Sequence, residues 1–311
     1  MSSIIRAQSC SELLKNFEKT QFTAKGEKIK FINVGDRDVY NITAPFDIDG
    51  KRIIAGRVEK RDSEFSQVMF FAHNGEAWTP IDGAPVFDLQ DPFITRINNE
   101  IVFGGVDVFP KEDAPGQLQW RTFFFKGKTI NDLKHFAKGP IGMKDIRLVE
   151  LSDRRIGVFT RPQGIIGGRG KIGFTSIGSL DELTEETIIK AELIENQFLD
   201  DEWGGSNEPH LLKNGKIGVL GHIACFDEEG NRHYYSMVFM FDPVSKVSSP
   251  IQIIATRSNF EKGEYKRKDL IDVIFSGGLI RREDGFAELY VGVSDAEAHK
   301  IIIPDPFLQF E

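Results

Sequence analysis

The sequence predicts an all-β fold, a five-bladed β-propeller with four-stranded blades around a central channel. Three observations carry this. Apolar, strand-like runs with little helical periodicity dominate the chain, among them KRIIAGRV (51–58), EIVFGGVDV (100–108) and KIGVLGHI (216–223). Each such run follows a turn rich in Gly, Asp or Asn. The runs also recur inside five similar units, the sequence signature of a repeat architecture.

The units read NITAPFDIDGKRIIAGRV, QDPFITRINNEIVFGGVDV, MKDIRLVELSDRRIGVFTRP, SNEPHLLKNGKIGVLGHIA and FSGGLIRREDGFAELYVGVSD. The first four align on Pro45, Pro92, Ile146 and Pro209. In each, a hairpin turn follows the anchor and leads into a second apolar strand. Further strands come after it, at 67–72, 119–126, 171–177 and 234–241. Four strands in each of five units make the propeller, assigned to residues 27–311 as a single domain. Residues 1–26 form an N-terminal extension, in which Ser9 and Glu12 read as a capping box opening a short helix through Leu13, Leu14 and Phe17. The connectors KTINDLKHF and GSLDELTEE each follow an outer strand. In the second, Ser179 and Glu182 read as another capping box around one helical turn.

Composition narrows the function. The net charge of −8 argues against nucleic acid as the main partner, since phosphate backbones demand surplus Lys and Arg. No apolar run approaches the roughly 20 residues of a membrane span, and the start of the chain lacks a secretory pattern. A cytoplasmic enzyme is the expectation. Cys10 and Cys225 lack metal-ligand spacing and read as two free thiols. His210 and His222 lie on different strands and make a poor metal pair, so neither a metal nor a cofactor is expected.

One position before the anchors stand Ala44, Asp91, Asp145 and Glu208. Innermost strands of a propeller face one channel, so three successive units would aim a carboxylate at the same cleft. Like charges brought together perturb one another's pKa values, as an acid/base pair requires. The simpler reading is that these acids cap turns or pair with neighbouring Arg. Basic and polar groups share the segments: Arg57, Arg61, Lys144, Arg147, Arg161, Arg169, His210 and His222. They are candidates for holding phosphate or sugar hydroxyls, or else for ion pairs between blades. Trp203, ahead of a Gly pair, is placed either to stack on a sugar or to pack between blades. The Gly-rich stretches 164–174, 203–209 and 275–279 do not join a strand to a long helix, so they are no phosphate loop. They are expected to let the backbone approach a ligand or turn tightly.

At these residues the chain resembles the β-mannoside phosphorylase family of glycoside hydrolases. The segment from Asp91 (DPFITRINN) resembles that family's Glu-Asp-Pro-Arg segment, and the resemblance implies Asp91 as general acid. The segment from Met143 resembles its Lys-Asp…His-Arg-Pro segment, which implies Lys144 at phosphate, with Arg161 and Pro162 matching. The segment WGGSNEPHLL is similar to its Gly-rich segment. The order holds over roughly residues 40–240. The chain is also similar to a little-characterised glycosidase family of furanosidase-like propellers. It departs from the phosphorylase pattern at Gln90 (Glu in the family), Phe93 (Arg) and Thr160 (the phosphate-binding His). Half of the implied phosphate site is thus altered, and hydrolysis stands beside phosphorolysis. The resemblance implies an inverting enzyme acting on a short, β-mannoside-like oligosaccharide, with inorganic phosphate as co-substrate if it is a phosphorylase. Glu208 or Asp145 would activate water in a hydrolase. Lys144 and Arg147, with Arg161 or Arg169, would hold phosphate. The competing reading is a non-catalytic carbohydrate-binding or scaffold propeller.

Overall fold

The computed structural model describes residues 6–48 and 50–311. Helix α1 (Cys10–Lys19) begins at the expected capping box, with Glu12 N donating to Ser9 Oγ at 3.1 Å and Ser9 N to the Glu12 carboxylate at 3.0 Å. Strand β1 (Glu27–Lys28) follows. The first sheet holds β2 (Asp38–Tyr40), β3 (Phe46–Ile48), β4 (Lys51–Glu59), β5 (Gln67–His73) and β6 (Trp78–Pro80), with β2 and β3 both on β4. The second holds β7 (Gln90–Ile97), β8 (Glu100–Pro110), β9 (Leu118–Gly127) and β10 (Lys134–Lys138) in chain order. The third holds β11 (Arg147–Glu150), β12 (Ile156–Thr160), β13 (Gly173–Ile177) and β14 (Glu192–Leu193), with short helices α2 (Gly164–Gly167) and α3 (Glu185–Ile189) in its connections.

The remaining strands are β15 (Trp203–Leu211), β16 (Ile217–Phe226), β17 (Arg232–Phe241), β18 (Gln252–Ala255), β19 (Asp272–Arg281), β20 (Phe286–Val293) and β21 (Glu297–Pro304). With β1 on β21 they form one eight-stranded sheet rather than two separate ones. The join is slight: a parallel contact of His233 with Asp272 and Tyr234 with Val273, between two antiparallel halves. The fold is thus mainly β, with four hydrogen-bonded sheets among the described residues.

Packing explains why the strands read as continuous apolar runs. Each sheet is covered on both faces, so successive side chains enter different cores. Phe70 joins a cluster shared with β8, while Phe71 joins one shared with Tyr290 of β20. On β9, Phe124 packs toward the third sheet, and Phe123 and Phe125 pack toward the first. Two further clusters join the third sheet to β15–β18 and β16–β17 to β19–β21.

The connector at 178–186 contains the expected turn, at Leu180–Glu182. Its cap differs, however: the Glu182 carboxylate accepts from Gly178 N at 3.0 Å, and the Ser179 side chain makes no cap bond.

Candidate active site

The inner strands carry a local irregularity that decides which side chains reach the site. Register slips by one residue between Gln90 and Phe93, between Ser206 and Glu208, and between Ser276 and Gly278. Asp91, Asn207 and Gly277 sit in these β-bulges, which re-aim side chains. Asp91 has φ +47°, a left-handed conformation that it shares with Asn41 at +44° and Asp145 at +58° at the matching points of the first and third units. The ring of equivalent positions is therefore Asn41, Asp91, Asp145, Asn207 and Gly277.

That assignment corrects the expectation for the first unit, where Asn41 and not Ala44 holds the position, and for Glu208. In the fourth unit the bulge shifts the alignment by one residue, and a one-residue slip turns a side chain to the other face. Glu208 leaves the cavity wall: its carboxylate accepts from Leu279 N at 2.7 Å and pairs with His210 at 2.8 Å. Three aligned acids become two acids and an amide. His210 is drawn away with Glu208.

Asp91, Asp145, Arg57, Lys144, Arg161, His222 and Asp295 line one cavity of about 190 Å³. It shares Lys144, Arg161, Arg232, Arg267 and Tyr234 with an adjoining groove of about 530 Å³, whose wall includes Trp120, Arg169 and Trp203.

Arg57 is buried on β4 and reaches Asp91 at 3.1 Å. It is held from behind by Glu59, whose carboxylate accepts from Arg57 Nη2 at 2.6 Å, from Tyr40 Oη at 2.9 Å and from Lys266 Nζ. Tyr40 also lies under the guanidinium, 4.8 Å from ring centre to Cζ. Asp91 accepts from Asn41 Nδ2 at 2.8 Å as well. Burial pushes the Asp91 carboxyl up, but Arg57, Lys144 and these hydrogen bonds outweigh it and bring it down to about 2. Asp91 is accordingly a carboxylate at neutral pH.

Asp145 is completely buried, and neither of its oxygens accepts a hydrogen bond among the described residues. Arg147 and Arg161 approach it only to 3.6 and 3.5 Å. Burial raises its pKa, and Arg161, Lys144 and Arg147 together lower it further, so it too is ionised. A buried carboxylate with free lone pairs is set to accept from a ligand's hydroxyls.

Arg161 donates Nε to Gly204 O at 2.7 Å, while its Nη1 makes no hydrogen bond among the described residues and lies 3.5 Å from Asp145 Oδ2. Lys144 makes no ion pair among them. His222 bonds through Nδ1 to Asn207 Oδ1 at 2.8 Å and stacks on Tyr234 at 5.5 Å. Burial first, then the cations Arg161, Lys144 and Arg147 against the pull of Asp145, lower it to about 3, so the ring is neutral. Asp295, on the turn between β20 and β21, behaves oppositely. Burial and the charge of Asp91 raise its carboxyl pKa despite Arg57.

The Gly pair before Asn207 has a steric purpose. A Cβ on Gly205 would lie 2.8 Å from Arg161 Cδ and 2.9 Å from His222 Cε1. Gly205 thus makes room for protein side chains rather than for ligand backbone contacts or a turn.

Other expected ligand contacts are diverted. Arg147 lies beneath Asp145, outside the cavity wall, donating to the carbonyls of Asn207 at 2.8 Å and Ile146 at 3.1 Å. It stacks over Phe93 at 4.4 Å, so the Phe that replaces the family's Arg supports a guanidinium from the next sheet. Arg61 is engaged by Asp38 at 2.7 Å and by Glu264, in a rim depression. Trp203 is 4 % exposed; it packs on Phe226 at 4.8 Å, lies under Arg169 at 5.5 Å and donates Nε1 to Tyr234 at 2.9 Å. Its faces are covered, so it walls the groove and does not offer a stacking platform. Thr160, at the family's His position, is buried away from the cavity wall.

Comparison with known proteins shows what the chain is similar to as a whole. Over 96% of its length the chain is similar to 93% of a mannose phosphorylase from Leishmania mexicana solved in complex with phosphate ion, at 37% identity and a TM-score of 0.88. A GDP-Man-dependent mannosyltransferase from the same organism is 35% identical over 97% of this chain and 96% of that one, with a TM-score of 0.88. A 4-O-beta-D-mannosyl-D-glucose phosphorylase from Bacteroides fragilis is 26% identical over 276 residues, 81% of this chain and 69% of that enzyme. These relatives place the chain among enzymes of the glycoside hydrolase and glycoside phosphorylase type, and the scaffold reading falls away. The chain belongs to the family described as Protein of unknown function (DUF1861), whose profile matches residues 15–309.

Proposed function

We propose that the protein is an inverting phosphorylase of short β-mannosides, working reversibly with inorganic phosphate. One observation carries this reading: Lys144, which makes no ion pair among the described residues, and Arg161, whose Nη1 lies 3.5 Å from Asp145, line the same buried cavity as the carboxylate of Asp91. Two cations beside a carboxylate suit an anion next to a reacting sugar, and Arg232 and Arg267 at the mouth extend that field. The relatives' names, a mannose phosphorylase among them, supply the sugar.

In the synthetic direction, an acceptor hydroxyl attacks C1 of α-mannose 1-phosphate. The C1–O bond to phosphate breaks, and Asp91, already ionised, takes the hydroxyl's proton directly or through a sugar hydroxyl. The same proton returns in cleavage: phosphate attacks C1, and Asp91 protonates the leaving oxygen. Cleavage therefore needs a protonated Asp91. Phosphate bound at Lys144 cancels part of the field that keeps Asp91 ionised, and its own charge raises the Asp91 pKa further. Asp145, with both oxygens free, accepts from hydroxyls of the bound sugar.

A second reading keeps the site and changes the donor to a nucleoside diphosphate sugar. It is supported by the 35%-identical mannosyltransferase and by Arg169, Arg232 and Arg267 along the groove, beyond the cations a single phosphate engages. The test is one set of incubations with manno-oligosaccharide as acceptor. Phosphate release from mannose 1-phosphate supports the phosphorylase, and GDP release from GDP-mannose supports the transferase. Mannose release without phosphate supports a hydrolase, in which Asp145 is the carboxylate left to activate water.

The proposed architecture is the five-bladed ring over residues 27–311, with residues 1–26 as an extension. Five apolar clusters support it, each between neighbouring units and the last between the fifth unit and the first. The expected cytoplasmic setting remains part of this proposal; among the described residues no helix is long and apolar enough to cross a membrane.

A further inference from the structure

Cys10 opens α1 and Cys225 lies near the end of β16, far apart in sequence. Helix α1 packs on β16 and β18, and Cys10 and Leu13 enter an apolar cluster against which Cys225 also packs. Cys225 pairs across β16 and β17 with His233, two residues along from the Ile223–Tyr235 pair, so these four side chains share one face. Ile223 and Tyr235 belong to the same cluster as Cys10. The two thiols thus meet beneath the helix, Cys10 buried and Cys225 half-buried.

Their surroundings are asymmetric. The His233 ring lies between Asp272, 2.5 Å from Nδ1, and Asp227, 3.2 Å from Nε2. Burial alone would lower its pKa, but the two carboxylates raise it and favour imidazolium. Cys225 is pulled down by the Cys10 thiol and, against burial, by His233. Cys10 is pushed up by Cys225 and by burial, with the Glu202 carboxylate adding to this; Glu202 accepts from Cys10 N at 2.6 Å. A partly exposed thiol beside an imidazole held between two carboxylates, with a second thiol against it, is the arrangement of a redox-sensitive pair.

We propose that Cys10 and Cys225 form a hydroperoxide-reactive dithiol, with Cys225 as the attacking thiolate and Cys10 as the resolving thiol. Cys225 attacks the peroxide oxygen, and the O–O bond breaks to leave a sulfenic acid and hydroxide. The Cys10 sulfur then displaces that hydroxyl as water, joining the two sulfurs. Two thiols and one hydrogen peroxide give one disulfide and two waters. The bond would fasten α1 to the strand whose next residue, Phe226, carries Arg169 over its ring at 4.8 Å in the groove wall.

The experiment treats the full-length protein with hydrogen peroxide and follows thiol titre and peptide masses without reductant. The wild type is expected to lose both thiols together, forming one intramolecular Cys10–Cys225 peptide pair about 2 Da lighter than its reduced parts. Cys10→Ser should stop at a sulfenic acid on Cys225 that dimedone traps. Cys225→Ser should leave Cys10 at least about tenfold slower to react than the wild-type pair. His233→Gln, which keeps both thiols, should slow Cys225 oxidation severalfold. Oxidation of Cys10 at the wild-type rate in Cys225→Ser would overturn the proposal. So would a wild-type product carrying sulfinic or sulfonic acid but no disulfide.

Discussion

Asp91 illustrates how a buried acid is kept ready. Three neighbours, Arg57, Lys144 and Asn41, overcome its burial and leave it ionised. Asp91→Asn keeps the shape and removes the exchangeable proton. The expected loss is about 10²–10⁴-fold in kcat, with ligand binding little changed, measured by initial rates and ligand titration. A stability signature accompanies it. With a folded pKa of about 2 against an ordinary value of 3.8, Asp91 contributes about 2 kcal/mol that is fully present above pH 4 and is lost as pH falls through 2. Asp91→Asn should thus be less stable than wild type in denaturant at neutral pH, and the gap should close near pH 2. His222 responds to acid in the same direction, over a higher pH window. Its pKa falls from 6.5 to about 3, so the unfolded chain binds a proton in that window that the folded one does not. Stability falls as pH drops from 6.5 to 3, and His222→Gln should flatten that part of the unfolding profile.

Within the strands, small devices hold the reacting groups. Glu59 sits two residues beyond Arg57, on the same face of β4, and fixes Arg57, Tyr40 and Lys266 at once. Glu59→Ala leaves two buried cations without their shared anion and should cost roughly 3–5 kcal/mol, read from denaturant midpoints. On β15, Gly205→Ala drives a methyl group into Arg161 and His222. It should raise KM for phosphate more than it lowers kcat, because the displaced group is an anion-binding cation and not the acid. At the start of α1, Ser9→Ala removes the cap on Glu12 N and should cost about 1 kcal/mol, visible as faster amide exchange in the first turn.

For the molecule as a whole, the field at the site opposes the net charge. The chain carries −8, yet Lys144, Arg161, Arg169, Arg232 and Arg267 gather along one cavity and its groove. An anionic donor is guided inward while the remaining surface repels it, an effect that salt weakens over about 8–10 Å. The N-terminal segment is part of this body: Cys10 and Leu13 enter one core cluster, Phe22 and Ala24 pack on another, and β1 pairs with β21. Deleting residues 1–26 should expose both clusters and lower Tm while leaving the cavity residues in place.

Much of this was legible from residue order alone. Continuous apolar runs and the turn residues between them determine an all-β fold, because a strand covered on both faces needs apolar side chains at every position. The capping box at Ser9 and the acids Asp91 and Asp145 belong to the same level, since their cues are local. Pairing register lies beyond it. A bulge adds one residue to one strand without marking the sequence, and in the fourth unit that residue turned Glu208 off the cavity wall and put Asn207 behind His222. Asp295 and Glu59 were hidden for a related reason: their roles depend on which charges the closed structure brings beside them. The fates of Arg147, Arg61 and Trp203 were decided the same way, by partners distant in sequence that occupy the donors and faces a ligand would have used.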